Sequence, residues 1–314
     1  MLPVAYVLAA PAFHAARSGA HHAAVNAIRP FADGSLTRGH ASFGEHGVAV
    51  RGRCVWPVGS ASATFTIDLN NESRHPMPAT SLSPTSGTIL LIGASRGLGH
   101  AMASEFLNKG WNVIGTVRAG TRTKLHDLAE DHEGRLEIET LDINERDQIA
   151  ALRNRLSGRA LDVLFVNAGT TTHDEHVPIG EVTTEEFMRV MVTNALSPMR
   201  VVEALQDLVP AKGLIGAMSS GQGSIANNET GMREVYRGSK AALNMFMRSF
   251  AARHAGTPRA MVLMAPGWVR TELGGPDARL SIEESVPKLV DVLLSKFGTR
   301  GVQYADYLDR TVPW

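Results

Sequence analysis

One stretch, TILLIGASRGLGHAM over residues 88–102, constrains this chain more than any other. A short apolar run, Ile89 to Ile92, leads into Gly93, Gly97 and Gly99, and a helix-like pattern follows from His100. Strand, glycine turn and helix in that order bring backbone N–H groups up to a pyrophosphate in an α/β protein. The spacing is GxxxGxG, so the general dinucleotide fingerprint GxGxxG is not matched literally. A turn of this kind alone is a weak signal, and its meaning depends on what comes after it.

What comes after it alternates regularly. Apolar runs predict strands at Ile89–Ile92, Asn112–Val117, Leu136–Thr140, Leu161–Val166, Gly213–Met218, Ala260–Met264 and Gly301–Tyr304. Between them, helical periodicity covers Leu98–Lys109, Arg122–His132, Glu145–Leu156, Thr184 to about Leu208, Val235 to His254 and Ile282–Lys296. Apolar strands alternating with amphipathic helices imply a parallel sheet covered on both faces. Right-handed crossovers then make it a Rossmann-type doubly wound α/β sheet. The boundary falls at residue 87: an N-terminal extension over 1–86, then one nucleotide-binding domain over 87–314.

The extension reads differently. It is rich in Ala, Gly, His, Ser and Pro, and is expected to be largely unstructured, with short strands conceivable within Val48–Ile67. Leu2–Phe13 is apolar, but no Lys or Arg precedes it, which argues against a signal peptide. Its histidines (His14, His21, His22, His40, His46, His75) lack a ligand pattern, so no metal is expected. Met77 offers an alternative start for the chain. Basic and acidic residues balance at 31 each, which excludes a global field for nucleic acid or an anionic membrane. No apolar run is long enough to span a bilayer. The single cysteine, Cys54, excludes an intramolecular disulfide.

In a doubly wound sheet the end of the second strand discriminates the cofactor. Here it reads Gly115-Thr116-Val117-Arg118, with no acid until Asp127, and Arg96 lies inside the glycine turn. Two arginines suit a 2′-phosphate, so NADP(H) is expected over NAD(H).

The remaining landmarks come in a fixed order: Asp142 after the third strand and Asn167-Ala168-Gly169 after the fourth. Asn194 follows in the long helix, Ser219-Ser220 end the fifth strand, Tyr236 to Lys240 open a helix, and Pro266-Gly267 follow the sixth strand. With the glycine turn, this set resembles the short-chain dehydrogenase/reductase family across residues 88–304. Within it, SSGQGSIANNETG, YRGSKAALNMF and APGWVRTELGG are similar to the C-factor-like carbonyl reductases.

Residue chemistry points the same way. Tyr236 and Lys240 are four apart and share a helix face; an ammonium beside a phenol favours phenolate and lowers the tyrosine pKa. Such a tyrosine can give a proton to a carbonyl oxygen or take one from an alcohol. A serine at a strand end can hold that oxygen, and Ser220 is the choice, with Ser219 as fallback. The resemblance implies that Ser220, Tyr236, Lys240 and Asn194 form the catalytic tetrad, with the Asn194 main-chain carbonyl holding a water. Pro198, four residues on, cannot donate to that carbonyl, so the helix is expected to bend there.

The resemblance also assigns Gly93, Ser95, Arg96, Gly97, Leu98, Gly99, Arg118, Asp142, Ile143, Asn167, Ala168, Gly169, Tyr236, Lys240, Pro266, Gly267, Val269 and Thr271 to the cofactor. For Asp142 a helix N-cap is the competing role. Where the family often has Thr before the first glycine this chain has Ile92, so a hydrogen bond to the Asn167 region is expected to be missing. The substrate is expected to be a neutral carbonyl compound or alcohol, lined by Thr170–Glu181, Gly221–Glu234 and Trp268–Arg279, with Trp268 and Met232 among the walls. The resemblance further implies a homodimer or homotetramer, assembled through helices whose apolar Met245, Phe246, Leu289 and Leu293 fit either an interface or the core, and the cofactor implies the cytoplasm. Its competing reading is a C-factor-like signalling protein that binds a dinucleotide with little turnover.

Overall fold

The computed structural model describes residues 28–30, 36–38, 86–120 and 122–314. The chain divides into two units, Met1–Thr80 and Ser81–Trp314. In the first, β1 (Ile28–Pro30) pairs antiparallel with β2 (Leu36–Arg38), a pairing the sequence did not announce. The strands considered within Val48–Ile67 and the extension's histidines lie outside the described residues.

The second unit is built on seven parallel strands. They are β3 (Thr88–Ile92), β4 (Asn112–Val117), β5 (Leu136–Thr140), β6 (Val163–Val166), β7 (Leu214–Met218), β8 (Ala260–Ala265) and β9 (Gly301–Asp306). The order across the sheet is β5-β4-β3-β6-β7-β8-β9. The chain winds outward from β3 on one side, then returns to β6 on β3's other flank, so a crevice opens at the carboxyl ends of β3 and β6.

Side chains alternate between the faces of each strand, and both faces are buried. Leu90 and Ile92 of β3 join one core cluster and Ile89 and Leu91 the other; Leu164 and Val166 of β6 are divided in the same way from Val163 and Phe165. The first cluster is closed by α3 (Arg146–Arg155), α5 (Ser197–Leu205) and α6 (Glu234–Arg253). The second is closed by α1 (Gly97–Asn108), α2 (Lys124–Asp131) and α7 (Ile282–Ser295). Leu289 and Leu293 of α7 lie in this core, fully buried, so they are not available to an oligomer interface, whereas Met245 and Phe246 of α6 are exposed.

The long helix expected over Thr184 to Leu208 is interrupted. It runs as α4 (Thr184–Met191), a π-helical turn over Val192–Leu196, α5, and a 3₁₀ turn over Gln206–Leu208. In the π turn the Ser197 N–H donates to the Val192 carbonyl, five residues back. Pro198 stands at the start of α5, where its missing N–H is tolerated. The bend expected from Pro198 therefore takes the form of a wider turn, a device often found at functional sites.

Phe106 of α1 is fully buried and meets the Trp111 ring edge-on at 5.5 Å between centroids. Phe106→Ala is expected to cost about 3–5 kcal/mol through lost burial and the cavity left behind, read as a lower urea midpoint at unchanged slope.

Candidate active site

The glycine turn after β3 is fixed from behind. The Gly93 N–H donates to Thr116 Oγ1 at 2.9 Å, the Ala94 N–H to the Thr116 carbonyl at 2.9 Å, and Asn167 Nδ2 to the Gly93 carbonyl at 2.7 Å. The Asn167 and Ala168 N–H groups both donate to the Ile92 carbonyl at 2.9 Å. The loss expected from Ile92 is thus made good by Asn167's own side chain, which reaches Gly93. Gly93 has φ +85, and a Cβ on Gly99 would stand 2.0 Å from the Gly93 carbonyl oxygen and 2.6 Å from Asn167 Nδ2. Only a hydrogen at that position lets α1 start hard against the turn. No side chain caps the first turn of α1 and no acid lies in it, so its N-terminal dipole faces the crevice uncompensated.

A cavity of about 990 Å³ occupies the crevice. Every residue assigned to the cofactor by resemblance other than Gly99 lines it: the glycine turn, Arg118 beyond β4, Asp142 and Ile143 beyond β5, Asn167–Gly169 beyond β6, Tyr236 and Lys240 of α6, and Pro266, Gly267, Val269 and Thr271 beyond β8. Asp142 is not a helix N-cap, a place taken by Glu145; its carboxylate accepts from the Asn144 N–H at 2.9 Å in a local turn. Thr271 sits beside Gly97, where its hydroxyl accepts from the Gly274 N–H at 3.0 Å. Arg96 is engaged with Glu272 at 2.5 Å, an exposed pair spanning the cavity mouth. Arg118 makes no ion pair among the described residues, so the two arginines are not equivalent.

Tyr236 lies in the first turn of α6, with Lys240 one turn further on; both are buried. Lys240 Nζ donates to the Met218 carbonyl at 2.9 Å and lies 5.9 Å from the Tyr236 ring centroid. Burial pulls the lysine down to about 8, because the charged ammonium is poorly solvated there. The phenol does not follow the expected direction. Burial raises the Tyr236 pKa above its ordinary value, opposed by a hydrogen bond with the Ser220 side chain and by the Arg233 charge. Lys240 Nζ is instead directed to the Met218 carbonyl.

The two serines divide their roles. Ser219 Oγ is buried and donates to Asn244 Oδ1 at 2.6 Å, so its hydroxyl proton is committed to the scaffold. Ser220 lines the cavity, where its side chain acts to lower the Tyr236 pKa. Asn194, wholly buried in the π turn, joins three segments: its Oδ1 accepts from the Thr170 N–H at 2.8 Å. Its Nδ2 donates to the Thr170 carbonyl at 2.8 Å and to Ser239 Oγ at 2.9 Å. Ser239 Oγ in turn donates to the Tyr236 carbonyl at 2.7 Å. The side chain thus locks the loop after β6 to the helix of Tyr236, a role the sequence argument about its main-chain carbonyl did not contain.

Several lining residues escaped the sequence. Asp306, Tyr307, Arg310 and Val312 come from the end of β9 and the tail beyond it, and the Tyr304 hydroxyl donates to the Ser220 carbonyl. No spacing rule links the tail to the serine. Arg233, three residues before Tyr236, lines the cavity with Gln222 and Trp268, while Met232 does not.

A doubly wound sheet with a bare helix start and a buried Tyr–Lys pair at its crevice defines a dinucleotide-binding oxidoreductase fold. The short chain dehydrogenase family model matches residues 87–279, and the chain belongs to the short-chain dehydrogenase/reductase family. A Burkholderia multivorans protein described as a short-chain dehydrogenase/reductase, solved with bound NADP, is 71% identical with a TM-score of 0.72. The match covers 73% of this chain and 99% of that one. A carbonyl reductase from Pseudomonas aeruginosa PAO1 in complex with NADP is 35% identical, with a TM-score of 0.68 over 73% of this chain and 100% of that one. The C-signal of Myxococcus xanthus is 35% identical over 156 residues, 49% of this chain and 93% of that protein.

Gly99→Ala forces a methyl into the Gly93 carbonyl and the Asn167 amide. An overlap of this kind costs about 1–3 kcal/mol of folding stability. The expected result is weaker NADPH binding in a fluorescence titration, together with a lower melting temperature.

Proposed function

We propose that this chain is an NADP(H)-dependent carbonyl reductase or alcohol dehydrogenase, with residues 87–314 as its catalytic domain. The observation that carries the reading is that Ser220, Tyr236 and Lys240 converge on the wall of the 990 Å³ cavity, with the buried Tyr236 and Lys240 one helical turn apart. The cavity suits NADP(H): the glycine turn and α1 offer free N–H groups to phosphates, and Arg118 closes β4 without a competing acid. When bound, the cofactor supplies or accepts the hydride.

The chain's own residues do the rest. Ser220 holds the substrate oxygen and stabilises charge developing on it. Tyr236 gives that oxygen a proton during reduction and takes one back during oxidation. Lys240 binds the nicotinamide ribose and, with its pKa near 8, exchanges a proton readily with solvent near neutrality. Asn194 holds this machinery in register and contributes its main-chain carbonyl to the proton relay. A neutral carbonyl or alcohol substrate is favoured because the nearby cations are already paired: Arg233 with Glu175, Arg189 with Glu186 and Arg310 with Asp306. A cytoplasmic homo-oligomer fits this reading, and the exposed Met245 and Phe246 suit an interface on α6.

The likeness to C-signal supports a second reading, dinucleotide binding for a regulatory purpose. A panel of ketones and aldehydes with NADPH separates the two. Native protein is expected to consume NADPH in a substrate-dependent way. Tyr236→Phe, which lacks the transferable proton, is expected to lose about 10²–10⁴-fold in kcat while still binding NADPH. Absence of turnover across the panel would favour the regulatory reading. Arg118→Asp tests cofactor choice separately: removing hydrogen bonds to a charged phosphate should lower the NADPH-to-NADH ratio of kcat/KM by about ten- to a hundredfold. An unchanged ratio rules Arg118 out as the selector.

A further inference from the structure

The turn entering α6 is built against ordinary backbone preference. Gly231, Met232 and Arg233 all have positive φ, at 64°, 56° and 54°, and two of the three carry side chains. Consecutive left-handed residues of this kind persist only where surrounding contacts hold them. Here the contacts converge on Arg233. Its N–H donates to the Glu175 carbonyl at 3.1 Å, its guanidinium pairs with the Glu175 carboxylate, and Nη2 donates to Thr171 Oγ1 at 3.3 Å. Arg237 Nε pins the Met232 carbonyl at 2.9 Å from the next turn of the helix.

The strained turn brings the Arg233 guanidinium over the Tyr236 ring, with Cζ 4.9 Å from its centroid, closer than Lys240 Nζ at 5.9 Å. The arginine side chain is only 14% exposed, and its buried Nε has no hydrogen-bond partner among the described residues. The compensation available to that side of the cation is the π face of Tyr236. We propose that Arg233 is a positioning residue for Tyr236, holding the phenol in place and supporting its anionic form, with Glu175 as the counter-charge that limits the effect.

The groups around the phenol fit this division. From α6 and its entry turn it meets Arg233 and Lys240, from the loop after β6 Glu175, from the loop after β7 Ser220, and from β9 Tyr304. Arg233 favours the phenolate and Glu175 opposes it, against the burial that disfavours it. The family tetrad places this duty on lysine; in this chain Arg233, 4.9 Å from the ring centroid against 5.9 Å for Lys240, takes part in it.

The test is an ultraviolet titration of phenolate absorbance on the full chain without cofactor. Each variant is compared with the same variant carrying Tyr236→Phe, so that Tyr236 is isolated among the four tyrosines. Arg233→Met should move the Tyr236 midpoint upward by about one pH unit or more, Arg233→Lys should restore part of it, and Glu175→Gln should move it down. A midpoint unmoved in both Arg233→Met and Glu175→Gln overturns the proposal. If Arg233→Met fails to fold, the direction of the Glu175→Gln shift decides alone.

The catalytic meaning of this pairing rests on the proposed function, and the readouts keep the two apart. In turnover, the pH limb set by Tyr236 should shift alkaline in Arg233→Met, whereas a merely structural role lowers the rate and leaves the limb in place. Shifted titrations without turnover on any carbonyl compound would sink the proposed function and leave the pairing standing. Turnover with unshifted titrations would do the reverse.

Discussion

The hydrogen bond from Asn167 Nδ2 to the Gly93 carbonyl, 2.7 Å long, joins the two strands between which the sheet reverses its winding. A crevice at such a point is a consequence of topology, but its shape is not. That bond adds to the two backbone bonds from Asn167 and Ala168 to the Ile92 carbonyl, and fixes the glycine turn itself against the loop after β6. With it, and with Gly99 lacking a side chain at the contact, α1 begins against the end of β6 and its unpaired N–H groups face one cavity. A second tie, through the Asn194 side chain, links that same loop to α6. Two asparagines thus carry the geometry from the phosphate end of the crevice to the tyrosine.

The fold was legible because both faces of a parallel sheet must be buried. That requirement wrote strands as apolar runs and left the alternation of Leu90 and Ile92 with Ile89 and Leu91 to be divided between two cores. The crevice-lining positions at Gly93, Asp142, Asn167 and Pro266 were legible for a similar reason, since each lies just beyond the carboxyl end of a strand and faces one edge. Contacts between distant segments were not. Nothing in the spacing connects Tyr304 to Ser220, or the tail beyond β9 to the cavity. Leu289 and Met245 look alike as apolar helix residues, yet one is core and the other is exposed, a difference decided by which helix face the sheet covers.

Electrostatics was the least legible level. Four-residue spacing does put Tyr236 and Lys240 on one face of α6, but it says nothing of burial. Burial disfavours both charged forms, raising the phenol and lowering the amine. A cation beside the phenol comes from Arg233, which belongs to no motif and sits in a left-handed turn with its guanidinium over the ring.

The π turn over Val192–Leu196 has a consequence for how this chain is compared with others. A turn of this kind takes up one extra residue, and each residue in a helix advances the side-chain direction by about 100°. Set beside a relative with an unbroken α-helix there, α5 would fall out of phase by one position. An ungapped alignment through this helix would then set the buried Leu205 against a position turned about 100° away from the core. The structurally faithful alignment places a one-residue gap inside a helix, at Asn194 or next to it, where gap-averse comparison is least inclined to put one.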